Sequence, residues 1–124
     1  MNVVDSSAWL SYFANDSNSG VFAEPIENLS DLLVASITIT EVFKNVLRQC
    51  GEEAALTVTA HMKQGKVIPL DSELAMDAAK FGVLHKLPLA DSIIFATAQK
   101  YAAVLWTQDN DFKGLSSVRY IPKS

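Results

Sequence analysis

The sequence predicts a three-layer α/β/α sandwich built around a mainly parallel central sheet. Three observations lead there. Short apolar runs recur at 2–5 (NVVD), 32–36 (LLVAS), 66–70 (KVIPL), 104–107 (VLWT) and 118–121 (VRYI). Stretches of helical length and helical periodicity separate the first four of them, and parallel strands need such crossovers. Repeats, low-complexity tracts and Gly/Ser linkers are absent from the 124 residues, so one domain over 1–124 is expected.

The elements follow in order. After the first strand, SSAWLSYFA (6–14) reads as a helix whose opening serines suit capping. NDSNSG (15–20) is a loop by composition, and 21–31 read as helical with Pro25 near one end. Beyond the second strand, Ile39, Val42, Phe43, Val46, Leu47 and Cys50 mark one face of a helix, which Gly51 ends. A further helix covers 52–64, with Glu52 and Glu53 in its first turn, where negative charge is mildly favourable. Helix 72–85, capped by Asp71 or Ser72, aligns Leu74, Ala78, Phe81, Gly82 and His85. A last helix spans 91–102, and QDND (108–111) turns the chain toward the final strand.

Composition narrows the function. A 49% hydrophobic, 19% charged chain can bury a core without crosslinks, and a lone cysteine, Cys50, excludes an internal disulfide or a CxxC metal site. MNVVDSSAW lacks the basic and apolar regions of a signal peptide, and no run approaches the roughly 18 apolar residues of a spanning helix. A soluble, cytoplasmic protein with no membrane role is expected. The net charge of −4 argues against a general nucleic-acid coat protein. It leaves a nuclease open, because acids that hold divalent cations present a positive site to phosphate.

Ligands of such sheets bind beyond the carboxyl ends of the strands. Asp5 ends the first strand, and Asp109 lies two residues beyond the fourth. Asp91 precedes Ile94 and Phe95 by three and four residues, in line with the apolar stripe of its helix. A carboxylate there needs a partner or a metal, since burying a bare charge is costly. Each position has a structural alternative. Asp5 and Asp91 could be helix N-caps, and Asp109 and Asp111 could be turn residues. Glu41 lies opposite its helix's apolar stripe, which favours a solvated face and a weak pair with Lys44. Glu24, Glu27, Asp31, Glu73 and Asp77 read as surface.

Asp5 in VVDSSAW, Glu41 in ASITITEV, Asp91 in LPLADSIIFATA and Asp109 in LWTQDNDF together resemble, in order and context, the acids of PIN-domain proteins. The likeness is greatest to VapC-type toxins of type II toxin–antitoxin pairs, and it runs from Val3 to about Phe112. The resemblance implies a PIN-like fold and an Mg²⁺- or Mn²⁺-dependent endoribonuclease using one or two ions. It also implies a homodimer and inhibition by a cognate antitoxin. By position it makes Asp5, Glu41, Asp91 and Asp109 the catalytic and metal-binding acids. Ser7, Thr107 and Asp111 support them, and Phe95 stands where the family often has alanine.

The rival chemistries fit less well. Histidine-based RNA cleavage needs positioned acid and base groups, whereas His61 and His85 read as packing or surface. Cys50 reads as core, as do Trp9, Phe13 and Trp106. A haloacid-dehalogenase-like phosphatase would place an acid two residues after Asp5, where Ser7 stands. A catalytically silent PIN-like scaffold or RNA-binding module is the non-enzymatic alternative. Lys44, Arg48, Lys86 and Lys113 are candidate phosphate contacts, with ordinary solvated surface as their competing reading.

Overall fold

In a computed structural model that describes Met1–Lys123, the chain runs β1 (Asn2–Val4), α1 (Ser6–Ala14), α2 (Ser19–Glu27), β2 (Leu32–Ala35), α3 (Ser36–Cys50) and α4 (Glu52–Met62). It continues through β3 (Lys66–Ile68), α5 (Ser72–His85), α6 (Leu89–Lys100), β4 (Val104–Thr107) and β5 (Val118–Tyr120), with 3₁₀ turns at Leu29–Asp31 and Asn110–Phe112. The five strands lie in the order β3-β2-β1-β4-β5, and every pairing is parallel.

Alternation along the strands divides the core in two. Val3, Leu33, Ala35 and Leu105 face α5 and α6, where Leu74, Ala78, Ile94 and Ala98 cover them. Val4, Leu32, Val34 and Trp106 face the other way, onto Trp9, Phe22, Ile26, Val42 and Met62 from α1 to α4. Both faces are thus covered, which is why the strands read as continuous apolar runs. The three-layer expectation holds, and the sheet is wholly parallel.

The element boundaries differ from expectation in instructive places. The segment over 21–31 splits into α2, with the buried Pro25 inside it, and a 3₁₀ turn. Helix α3 starts three residues before Ile39, directly after β2. Gly51 ends it with φ 90°, a conformation that side chains disfavour. Cys50 is exposed rather than core, because residues 47–50 form a last turn that no neighbouring layer covers. Trp9 and Trp106 are core as expected, whereas Phe13 is half-buried at the edge of its cluster. Helix α6 begins at Leu89 behind Pro88, so Asp91 sits inside its first turn and is not its N-cap.

Strand β1 is central: the chain leaves it for β2 and β3 on one side, then crosses from β3 to β4 and β5 on the other. The carboxyl ends of β1 and β4 therefore open a crevice, the usual ligand position in a doubly wound sheet.

Candidate active site

Asp5 follows β1 directly. Its N–H donates to the Trp106 carbonyl at 2.9 Å, which sets it beside Thr107 at the end of β4. The side chain is 1% exposed and makes no helix cap. Instead its Oδ2 accepts from Ser7 Oγ at 2.7 Å and from Thr107 Oγ1 at 2.8 Å. Thr107 Oγ1 in turn accepts the Asp109 N–H at 2.9 Å, and Ser7 Oγ accepts the Gln108 N–H at 3.3 Å. Two hydroxyls thus tie the β1–α1 junction to the β4 exit and hold Asp5 and Asp109 in a common frame. The opening serines of α1 bond carboxylates rather than capping the helix.

Glu41 lies in the second turn of α3, half-buried. Its Oε1 accepts from Ser6 Oγ at 2.9 Å, and Lys44 makes no pair with it. The solvated-face alternative for Glu41 falls here. Periodicity could not reveal this, because the partner comes from 35 residues away. Asp91 reaches the same end from α6, which is buried over Ser92–Ala98. Carboxylate oxygens of Asp91, Asp109 and Asp111 lie within 4.8 Å of one another, the tightest acidic group among the described residues. Asp109 also caps the 3₁₀ turn by accepting the Asp111 N–H at 2.9 Å, so its turn role and its place in the cluster coexist.

Electrostatics bind the acids into one unit. Burial pushes the Asp5 carboxyl up, the Ser7 and Thr107 hydrogen bonds pull it back, and Asp109 adds repulsion. Burial also raises Glu41, against the Ser6 hydrogen bond and with repulsion from Asp5 and Asp109. Asp91 is pushed up to about 8, first by burial and then by the charges of Asp109, Asp5 and Asp111. The N-terminus of α6 favours a carboxylate, yet burial and three like charges outweigh it. Asp109 acts on all three of the others, whereas exposed Asp111 acts on Asp91 alone. Asp109 is therefore the electrostatic centre of the group.

An all-carboxylate donor set with no ion pair to a cationic side chain among the described residues suits a hard divalent cation. Asp91, Asp109 and Asp111 could hold such an ion, with Asp5 and Glu41 beside it. The histidines lie elsewhere in the packing. His61 sits edge-on to Trp9, Tyr12 and Phe13, and His85 stacks on Phe81 and meets the edge of Phe95. Phe95 is buried and packs T-shaped on Phe81 at 5.1 Å, filling space between α5 and α6. Two further residues of the network, Ser6 and Gln108, carry no motif signal in the sequence. The positional cue for Ser6 is its adjacency to Ser7 directly after a strand-ending aspartate, a place that capping also explains.

The family model of the PIN domain matches residues 3–117, a span that holds every acid of this site. The chain belongs to the PIN-domain family. No curated protein matches its sequence significantly. Among solved structures, this PIN domain is similar to a toxin–antitoxin complex from Klebsiella pneumoniae, with a TM-score of 0.79 and 24% identity over 96% of each chain. It is similar also to Mycobacterium tuberculosis VapC20, a sarcin-ricin loop cleaving toxin, with a TM-score of 0.77 and 22% identity over 96% of this chain and 99% of that one. A third is DNA-bound VapBC from Salmonella typhimurium, with a TM-score of 0.74 and 16% identity over 98% of this chain and 96% of that one. At these identities the likeness speaks for the fold.

Proposed function

We propose that this PIN domain is a metal-dependent endoribonuclease, the toxin of a toxin–antitoxin pair, which cleaves RNA by attack of water on phosphorus. The observation that carries the reading is the convergence of Asp5, Glu41, Asp91, Asp109 and Asp111 on the crevice between β1 and β4. The family, and the RNA-cleaving activity named for VapC20, support it. So does the charge inventory. Without those five acids, ten lysines and arginines face nine acids, so the acidity of the chain is concentrated where phosphate would be handled.

When bound, Mg²⁺ or Mn²⁺ supplies positive charge against the phosphate and makes water more acidic. The side chains have separable tasks. Ser7 and Thr107 keep Asp5 aimed and favour its ionised form. Ser6 fixes one oxygen of Glu41, whose raised pKa suits it to take a proton from the attacking water. Burial first, and then the neighbouring carboxylates, favour a proton on Asp91 near neutral pH, and a cation held by this group would displace it, so binding would release protons.

Attack by water on phosphorus with breakage of the P–O3′ bond leaves a 5′-phosphate and, once the departing oxygen takes up a proton, a 3′-hydroxyl. Mass spectrometry of the products of a defined RNA checks this, and a 2′,3′-cyclic phosphate would overturn it in favour of attack by the ribose. The proposal includes a cognate antitoxin, supported by the neighbours solved as toxin–antitoxin complexes, and a homodimer. Supporting the dimer, Met76, Val83 and Leu84 on α5 and Leu89 at the start of α6 are large apolar side chains that stand 61–83% exposed. Light scattering should give twice the chain mass for the wild type and the single mass for Leu84→Glu.

A further inference from the structure

The outer face of α3 carries Glu41, Lys44, Asn45 and Arg48 at one-turn intervals. With Ser6 and Leu10 of α1 they line a groove of about 290 Å³. Two of its walls, Ser6 and Glu41, are already part of the acid network through their 2.9 Å hydrogen bond. The two cations have no ion pair or hydrogen bond among the described residues. Lys44 lies three residues from Glu41 and leaves it to Ser6. Arg48 lies one turn further on, with about 6 Å of helix rise separating the two cations.

Lys44 stands three residues from Glu41, a spacing at which helical ion pairs form, yet neither it nor Arg48 pairs with a carboxylate among the described residues. We propose that Lys44 and Arg48 hold the phosphates of single-stranded RNA flanking the scissile bond. The groove between α1 and α3 is then the track by which the strand enters or leaves the acid site. This rests on the ribonuclease reading above and names the residues that bind its substrate. Phosphate contacts are sequence-independent, so these residues set affinity and direction of the strand and not the choice of target sequence.

Two contacts of this kind make a quantitative signature. Each phosphate neutralised on a single strand adds about 0.7 to the slope of log affinity against log salt. Fluorescence anisotropy with a labelled single-stranded RNA in Ca²⁺ compares wild type with Lys44→Ala/Arg48→Ala. The control is Lys63→Ala/Lys66→Ala, which removes the same charge where β3 begins, at the opposite end of the sheet. The first double variant should flatten the salt slope by about 1.4 and weaken binding about 25-fold at roughly 0.1 M salt. In Mg²⁺ its KM for cleavage should rise while kcat stays near wild type, as expected for contacts made equally in ground and transition states. The control should match wild type. Wild-type cleavage with an unchanged slope and KM in the first variant overturns this inference and leaves the ribonuclease standing. Equal losses in both variants overturn it too, by reducing the effect to net charge. Failure of the wild type to bind or cleave any RNA overturns the ribonuclease reading itself.

Discussion

Asp5 and Asp71 occupy the same place in the sequence pattern, directly before a helix that follows a strand, and they do opposite things. Asp71 is exposed and caps α5, accepting the Leu74 N–H at 2.8 Å. Asp5 is buried, leaves α1 without a side-chain cap, and turns its carboxylate to Ser7 and Thr107. The difference lies in the strands. Strand β3 is at the edge of the sheet, so nothing lies beyond Asp71 on one side. Strand β1 is central, so the end of β4 comes alongside Asp5 and brings Thr107, Asp109 and their charge. A carboxylate with a free helix end beside it stabilises the fold. One surrounded by other carboxylates weakens the fold until a cation arrives.

The largest expected contrast is in catalysis. Asp5→Asn and Asp91→Asn should each lower RNA cleavage by at least about 100-fold, the scale of losing one preorganised electrostatic group, while circular dichroism shows a folded protein. Asp71→Ala should cleave as wild type does. Near-wild-type cleavage by either asparagine variant would break the comparison.

A cation that binds only the folded arrangement adds about 2.7 kcal/mol at a hundredfold excess over Kd. Mg²⁺ or Mn²⁺ should therefore raise the melting temperature by roughly 10 °C. The shift should persist in Asp71→Ala and vanish in Asp5→Asn. Equal shifts in all three proteins would place the ion elsewhere.

The pH response follows from the direction of the Asp91 shift. Its pKa rises from 3.8 to about 8 on folding. Below 3.8 both states are protonated and the charge costs nothing. Between 3.8 and about 8 the folded state holds a proton that the unfolded state has released, so stability falls as pH rises through that window. Metal-free protein should accordingly melt lower at pH 8 than at pH 5, and Asp91→Asn should flatten the trend. A melting temperature that rises over this range in the wild type would contradict the crowding described for the site.

The smallest effect sharpens the structural half of the pair. Removing a single N-cap costs about 1 kcal/mol, so Asp71→Ala should lower the melting temperature by about 4 °C, independent of metal. Differential scanning calorimetry resolves a change of that size, and no change at all would mean that the cap does not stabilise α5.

The layered fold and the strand positions were legible in the chain itself. Apolar runs too short for helices alternate with helical stripes, and both patterns depend on neighbours a few residues away. The positions of Asp5 and Asp109 beyond two strand ends were legible for the same reason, whereas the order of the four acids was legible only through the resemblance to PIN-domain proteins. Other features were decided only by tertiary contact. Whether Asp5 caps a helix or faces a charge depends on which strand lies beside β1, a contact between residues about 100 positions apart. Glu41 reads as solvated on its own helix and is bound only because Ser6 arrives from α1. Cys50 continues an apolar stripe yet is exposed, because α3 outruns the layer that would cover it. Periodicity records which face of an element is apolar. It carries no information about what stands opposite that face, and for charged groups the opposite face decides the chemistry.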